Sequence, residues 1–492
     1  MKKGLVLLLV SVMLLGAFMP VLITQAATKQ AVVVVLSTGV QTTETLSEMV
    51  DDYNDNYAPA GVSVDLQTST WETQSQHDTY TTKFAVADPG LDVVSMDVIW
   101  PPEFIAAGWL EPLDDIINDT NVDDFLPAPV EAGTYQGVHY GVPWFHDSAM
   151  LFYRTDILEY ASSEGIIPEN RAPETWDELH DWTLDMLNDT DLVDMFKGAD
   201  GILEGFTWQG KQYEGLVCDF MEYLGGTGQY SFLNEDQTAA AFNTTNVRDT
   251  LEFMASLLVT HQGPTATDTI SVSPIGVLTY NEEPSRTVWN AGNAIFHRNW
   301  PYAYRLSMDN AFLNGSEGAT DPLFDVAVMP HKAGVTEYRT SCLGGWQLGL
   351  SKFSTHKTEA KHFIRWLTAY EQQKTLLIGN GNIPTLEAVY DDDDVLTSDQ
   401  AYVNVLLPIF KKALPRPVHK DYPEMSAAIW VYLQGAIAPG GTPIDDAIGY
   451  LDDTVNEILQ RAPPATGIPE LAFLALLSIS AIVILRRRRK KK

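Results

Sequence analysis

The 492-residue chain contains few cysteines and few basic residues. It has two cysteines, Cys218 and Cys342, and 31 lysines and arginines against 65 aspartates and glutamates. Two cysteines are too few for a disulfide scaffold or a cysteine-based metal site, and the sequence leaves open whether they pair. Residues 28–469 alone carry 22 basic against 64 acidic side chains. Such a surface repels nucleic acid and anionic lipid headgroups, and it identifies no substrate.

Motifs of common enzyme classes are also missing. The sequence has no G-x-S-x-G, no H-E-x-x-H, no P-loop and no G-x-G-x-x-G after a strand. Its ten histidines are scattered singly, and no carboxylates at metal-ligand spacing accompany His139 and His146. We therefore expect no cofactor and no metal ion. One catalytic alternative stays open, because Asp97 and Asp147 could be the facing carboxylates of a glycoside hydrolase.

The two ends of the chain have the composition of targeting segments. Residues 1–27 combine Lys2 and Lys3, an apolar run and small residues placed for cleavage, which predicts a secretory signal. Residues 462–467 are a proline-rich linker, residues 468–485 are largely apolar, and residues 486–492 are all basic. This pattern predicts an extracytoplasmic body with a membrane anchor and a cytoplasmic basic tail, although the apolar run is short of the usual span of about 20 residues. The alternative is a sorting tail that is replaced by a lipid. Four N-x-Ser/Thr sequons begin at Asn118, Asn188, Asn243 and Asn314.

The body between these ends has the pattern of a two-lobe α/β protein. Strand-like runs at 31–36, 62–67 and 91–98 alternate with helical stretches at 45–57 and 78–86. This rhythm predicts a mostly parallel sheet with helices on both faces. Ligands bind at the carboxyl ends of such strands, where Asp97 lies. The stretch Gly141–Arg154 reads as a crossing into a second lobe, which would place Asp147 at the cleft.

Aromatic residues recur beside single polar groups at predicted loop positions. They are Trp100, Trp144, Asp147, Trp300, Tyr302, Trp346 and Arg416. Aromatic rings cover the apolar faces of sugars, while Asp and Arg bind the hydroxyl groups. The pattern therefore favours carbohydrate binding without turnover, although each aromatic residue also suits a core position.

Several longer motifs carry a resemblance to a known family. They are WQGKQYEGLVCDF (208–220), RNWPYAY (298–304), LGGW (343–346), ETWDEL (174–179), FIAAGWLEPLDD (104–115) and PRP (415–417). With them the chain resembles, over about residues 32–459, the extracellular solute-binding proteins of carbohydrate ABC transporters, the maltose-binding class. It looks most similar to the archaeal trehalose/maltose-binding proteins of that class.

The resemblance implies a periplasmic-binding-protein-like fold with three hinge crossings. We expect the crossings near residues 142–148, 324–330 and 343–349. The first lobe would hold residues 28–143 and 328–345, and the second lobe residues 147–325 and 348–460. The resemblance also implies a monomer that binds sugar in the cleft and presents both lobes to an ABC permease.

The family's binding residues map onto matching positions of this sequence. Asp97 and Asp147 would accept hydrogen bonds from sugar hydroxyls, Trp300, Tyr302 and Trp346 would stack, Gly344 and Gly345 would offer backbone groups, Arg416 would donate, and Glu44 would take the place of a family glutamate. The chain departs from the pattern in lacking an arginine near Gln76 or His77, in having His297 in place of an acid, and in having Cys342 in place of a threonine.

These observations favour a membrane-tethered receptor that delivers a di- or oligosaccharide to an importer. The glycoside hydrolase stays as the enzymatic alternative. A ligand-sensing ectodomain is a third hypothesis, disfavoured because only the seven basic residues follow the predicted anchor.

Overall fold

The computed structural model describes most of the body of the chain. It covers residues 32–39, 43–68, 73–120, 124–265, 268–315, 322–411 and 413–461. No helix in these ranges is both long and apolar enough to cross a bilayer. The predicted signal at residues 1–27 and the predicted anchor at residues 468–485 lie outside the described residues.

The larger sheet has six strands and is mixed. Its strands are β1 (Val32–Thr38), β2 (Val62–Thr68), β3 (Val93–Asp97), β6 (Gly141–Ser148), β13 (Leu343–Leu350) and β14 (Ile383–Pro384), in the order β14-β6-β13-β3-β1-β2. β1 pairs in parallel with β2 and β3, whereas β13 is antiparallel to β3 and β6, and β14 is antiparallel to β6. The prediction of a mostly parallel sheet is correct for the first three strands and wrong for the other half. The alternation of strands and helices along the chain predicts only the pairing of strands that a crossover helix joins. β13 is far from β3 and β6 in sequence, so this pattern cannot predict its antiparallel pairing.

A second sheet has four strands. They are β7 (Met150–Arg154), β8 (Glu204–Thr207), β11 (Ala294–Asn299) and β12 (Phe324–Ala327), in the order β12-β7-β11-β8. Two short hairpins complete the described strands: β4 (Thr134–Tyr135) with β5 (Val138–His139), and β9 (His261–Gln262) with β10 (Thr269–Ile270). β6 and β7 are separated by one residue, so the chain passes from one sheet to the other at Ala149.

Helices surround both sheets. In chain order they are α1 (Glu44–Asp52), α2 (Thr73–Ala85), α3 (Pro101–Ala106), α4 (Asp114–Thr120), α5 (Pro127–Ala132), α6 (Thr155–Ser163), α7 (Trp176–Asn188), α8 (Thr190–Phe196), α9 (Glu214–Gly226), α10 (Thr245–Ser256), α11 (Glu282–Asn290), α12 (Tyr302–Met308), α13 (Lys357–Leu367), α14 (Tyr370–Asn380), α15 (Asp393–Leu396), α16 (Tyr402–Phe410), α17 (Tyr422–Ile437) and α18 (Ile444–Leu459). Several begin with an N-cap threonine, as at Thr43, Thr175 and Thr244, whose side chain accepts from an amide of the first turn. Among them, α9 is buried along almost its whole length.

Three segments lie side by side where the chain passes between the sheets. The Ser341 hydroxyl donates to the carbonyl of Ala149 at 2.9 Å. The Leu414 amide donates to the Ser341 carbonyl at 2.8 Å, and the Leu343 amide donates to the Leu414 carbonyl at 2.7 Å. We call these three segments, at Ala149, Ser341–Leu343 and Leu414, the hinge region, after the crossings expected from the resemblance.

The strand pairing corrects two of the expected crossings and the lobe boundaries built on them. Residues 324–327 pair within the four-stranded sheet, and the backbone of Lys332 and Arg339 then bonds to Gly226 and Gly225 of α9. The chain therefore enters the six-stranded sheet only at Leu343, and not between residues 324 and 330. β13 and β14 both belong to the six-stranded sheet, so residues 348–384 lie with the first lobe instead of the second. The glycine-rich sequence of β13 does not reveal which strands it will join.

Candidate functional site

Charged side chains link the end of β3 to helix α9. Asp97 is the last residue of β3, and its carboxylate accepts a hydrogen bond from the Arg416 guanidinium at 3.2 Å. The same guanidinium donates to Glu214, the first residue of α9, at 2.7 Å, and to the Leu343 carbonyl at 3.2 Å. Arg416 is only 5% exposed, so these partners offset the desolvation of its charge. Residues far apart in sequence thus meet beside the hinge region.

Asp147, Gly344 and Trp300 form a second cluster. Asp147 and Gly344 are directly opposite each other in the pairing of β6 with β13. A Cβ atom on Gly344 would lie 3.1 Å from the Cβ atom of Asp147 and 3.1 Å from a ring carbon of Trp300. Glycine therefore allows the indole, which follows β11 of the other sheet, to lie close against this pair of strands. Arg416 binds the carbonyl of Leu343, the residue before Gly344, which joins the two clusters.

The indole of Trp300 is held from two directions. Its Nε1 donates to the Glu282 carboxylate at 3.2 Å, and the Arg298 guanidinium lies 4.1 Å from its ring centroid. A cation in this position attracts an indole ring by about 0.5–2 kcal/mol. Arg298 is fully buried, and its charge is balanced by ion pairs with Asp219 and Glu222 of α9. The ring is thus oriented by the protein without help from a ligand.

Trp346 is part of the same region but is mostly covered. It is directly opposite Asp97 in the pairing of β3 with β13, and it is 7% exposed. Its ring packs edge-on against Trp100 with 5.4 Å between the centroids. Trp144, another aromatic residue noted in the sequence, is 1% exposed and lies in the core. Trp300 therefore offers more ring surface to a ligand than the other three tryptophans that the sequence singled out.

The remaining predicted residues differ in their surroundings. The Tyr302 hydroxyl donates to Glu283 at 2.7 Å. Gly345 has a φ of +113°, which favours glycine, and its carbonyl accepts from the Val98 amide at 3.2 Å. Glu44 is exposed at the start of α1, and among the described residues its side chain forms no hydrogen bond with the other predicted site residues. The structure therefore does not bring Glu44 into either cluster.

A charged histidine lies where the family resemblance leads one to expect an arginine. His77 Nε2 is 2.6 Å from the Glu103 carboxylate, and its ring centroid is 5.4 Å from that of Trp100. Burial works against the charge, but the nearby carboxylates of Asp78 and Glu103 raise the pKa of His77 to about 9. The neighbouring Gln76 is buried and donates to Tyr80 at 2.8 Å. The positive charge at this position is thus supplied by an imidazolium that is already paired.

Both aspartates of the site hold their protons more tightly than usual. Burial raises the pKa of Asp97, although the charge of Arg416 opposes this shift. Burial and then the charge of Asp97 raise the pKa of Asp147 to about 8, against an opposing effect of Arg298. In the described part of the chain, no side chain is hydrogen-bonded to the Asp147 carboxyl group. The raised pKa favours the protonated form, in which the carboxyl group could donate to a ligand oxygen as well as accept from one.

Three side chains of the site were missed from the sequence: Glu214, Glu282 and Arg298. Glu214 and Arg298 lie inside the motifs WQGKQYEGLVCDF and RNWPYAY, so those motifs could have pointed to them. Glu282 lies in no motif, and only the fold brings it to Trp300.

Comparison with known proteins identifies the kind of protein that carries this site. Residues 39–374 match the model of a family described as bacterial extracellular solute-binding protein. A Deinococcus radiodurans protein described as "Probable ABC transporter-binding protein" is 30% identical over 358 residues, which are 71% of this chain and 77% of the relative. The maltotriose-binding protein of Pyrococcus abyssi is 24% identical over 69% of this chain and 63% of its own length.

Solved structures agree with this assignment. The structure described as maltose-bound T. maritima MalE3 is 34% identical, with a TM-score of 0.73 over 87% of this chain and all of that one. A Thermotoga lettingae solute-binding protein with bound α-D-tagatose, 24% identical, has the same fold with a TM-score of 0.71, and covers 87% of this chain and all of its own. Substrate-binding proteins of this kind are not enzymes. The chain belongs to the family of bacterial extracellular solute-binding proteins, and it has their α/β periplasmic-binding-protein fold.

Proposed function

We propose that this chain binds a neutral di- or oligosaccharide of the trehalose or maltose kind between its two sheets and delivers it to an ABC permease. The observation that carries the proposal is the position of Trp300. Its half-buried ring lies against Gly344 and Asp147 of the six-stranded sheet, although it follows a strand of the other sheet. One face of a sugar could stack on this ring while its hydroxyl groups bind the adjacent carboxyl groups.

The charges of the site support a neutral ligand. Asp97, Asp147, Glu214 and Glu282 contribute four carboxyl groups. The Arg416 cation beside them is already paired with two of these groups. An anionic sugar would bring a further negative charge next to these carboxylates, whereas sugar hydroxyl groups can donate to them.

The choice of a maltose-like or trehalose-like sugar rests on two further supports. One is the resemblance of the sequence motifs to the archaeal trehalose/maltose-binding proteins. The other is the maltose described in the 34% identical T. maritima structure. Closure of the two lobes around the sugar would follow from contacts on both sheets, because a ligand favours the state in which it makes more contacts. Delivery of the sugar to the outer face of a permease is consistent with the family, whose members are described as extracellular.

Calorimetric titration of the purified protein with trehalose, maltose, sucrose, maltotriose and glucose tests the proposal. We expect one disaccharide or oligosaccharide to bind with a submillimolar Kd and to be recovered intact by chromatography. Appearance of glucose or shorter products would instead support a glycoside hydrolase with Asp97 and Asp147 as its carboxylates. Absence of binding across the panel would refute the trehalose or maltose assignment.

Substitution of two tryptophans tests the site. Trp300→Ala should weaken binding of the sugar about 5- to 30-fold, because loss of one stacked ring costs about 1–2 kcal/mol. Trp366→Ala is the matched control, since Trp366 is also half-buried but packs on Tyr53 and Tyr57, away from the site. Equal affinities of the two variants would contradict the assignment of Trp300.

A further inference from the structure

The two cysteines of the chain meet behind the candidate sugar site. Cys218 lies on α9, and Cys342 is the residue before β13. Both are buried, at 2% and 0% exposure, and the Cys342 thiol lies close enough to Cys218 to be the largest cause of its raised pKa. They are 124 positions apart in sequence, and the chain has no third cysteine. The structure shows both as free thiols.

Backbone contacts hold α9, which carries Cys218, against the segment that carries Cys342. Cys218, Glu222 and Gly225 follow one face of α9 at spacings of four and three residues. A Cβ atom on Gly225 would lie 1.9 Å from the Arg339 carbonyl oxygen, so this face touches the segment before β13 directly. Burial raises the pKa of Glu222, one turn from Cys218, and the nearby backbone amide of Cys342 works against this rise.

The far side of Cys342 is held as well. Cys342 forms a parallel β-bridge with Leu414, and the Leu343 amide donates to the Leu414 carbonyl at 2.7 Å. The contact is therefore a consequence of the packing of α9 against the hinge region.

We propose that Cys218 and Cys342 are joined by a disulfide bond in the exported protein. Each thiol loses one proton and together they lose two electrons, which pass to a disulfide oxidant that is reduced to two thiols. Extracellular family members fold in oxidising surroundings, where such oxidants are available. The bond would tie the entry of β13 to α9, whose first residue holds Arg416 of the candidate site.

The surroundings of the thiols determine when the bond forms. The nearby Cys342 thiol, together with burial, raises the pKa of the Cys218 thiol. The thiolate is the attacking species, so oxidation of the folded, reduced protein should be slow. The disulfide should form during folding, before the pair is buried, and should then resist reductants until the protein is unfolded.

Oxidative refolding tests this proposal. The purified chain is unfolded under reducing conditions, refolded in a mixture of reduced and oxidised glutathione, and then alkylated with N-ethylmaleimide in denaturant. We expect an intact mass lighter than that of the reduced chain by two hydrogen atoms, no alkyl group, and two alkyl groups after reduction. Uptake of two alkyl groups without reduction, or a disulfide-linked dimer on a non-reducing gel, would overturn the proposal.

Two further measurements keep the test independent of refolding yield. Protein from the exported fraction of producing cells, alkylated in denaturant at harvest, should also take up no alkyl group. The Tm of the oxidised wild type should exceed that of the reduced protein by several degrees, because the bond closes a long loop of the unfolded chain. The double variant Cys218→Ala/Cys342→Ala should show no such difference, and an equal response of both proteins would argue against the bond. None of these results depends on a sugar, so they stand apart from the proposed function.

Discussion

The raised pKa of Asp147 gives a prediction about stability. As the pH rises from about 4 to about 8, we expect the free energy of unfolding to fall less for Asp147→Asn than for the wild type. Asparagine has nearly the shape of the protonated carboxyl group, but it cannot ionise. The substitution therefore removes the cost of keeping a proton, or burying a charge, beside Asp97 and Glu282, while it leaves the packing almost unchanged.

The sign and the size follow from the two states of the carboxyl group. In the unfolded chain its pKa is near 3.8, whereas burial and the charge of Asp97 raise the pKa of Asp147 to about 8 in the folded chain. The folded state thus binds the proton more tightly, so the contribution of Asp147 to stability is most favourable in acid and falls until the pH passes about 8. Each pKa unit corresponds to about 1.4 kcal/mol, which makes about 6 kcal/mol the upper limit. Because Asp147 is only half-buried, solvent screening reduces this, and we expect about 1–3 kcal/mol.

Urea unfolding of both proteins at several pH values between 4 and 9 measures this difference. Asp115→Asn is a control of opposite sign: burial works against it, but the hydrogen bonds and charges of Lys361 and Arg365 lower the pKa of Asp115. That variant should be slightly less stable than the wild type at neutral pH, and the deficit should vanish in acid. A stability difference between Asp147→Asn and the wild type that stays constant over the whole pH range would refute the reasoning.

Two further predictions concern the ligand. Gly344→Ala should weaken sugar binding about 10-fold, because the new methyl group would force Trp300 or Asp147 to shift by a few tenths of an ångström. The control for calorimetry is Gly449→Ala, where a Cβ atom meets nothing within 4 Å, and equal affinities of the two variants would contradict the prediction. If a neutral sugar binds, its uronic acid counterpart should bind at least ~10-fold more weakly at pH 7, because the site is rich in carboxyl groups. Comparable affinities in a competition titration would show that the acidic groups do not select the ligand.

The sequence predicted the local elements of the site better than their assembly. The end of β3 at Asp97, the crossing near Asp147 and the loop position of Trp300 were recognisable from alternating or apolar runs beside proline and glycine, whereas the strand that contains Asp147 was not predicted. These features depend on residues close in sequence, so the pattern of side chains is sufficient to predict them. The family was also predictable, because its motifs are long and specific.

Other parts of the site depend on contacts between distant segments. The sequence does not show that β13 lies between β3 and β6, since its run of glycine and apolar residues fits either sheet. It named Arg416 as a candidate binding residue, but only the fold brings Arg416 to Asp97 and Glu214. Glu44 shows the converse, because a plausible match in sequence is exposed and outside both clusters in the structure.

The sequence by itself determined the class of the protein, the approximate positions of the first strands and helices, and the residue types available for binding a sugar. The tertiary structure decided which of these residues meet, how the six-stranded sheet is ordered, and where the chain passes between the sheets. It also brought Cys218 and Cys342 together and raised the pKa of Asp147. The physical reason is that burial, charge pairing and strand partners arise from contacts between distant residues, whereas secondary structure follows largely from near neighbours.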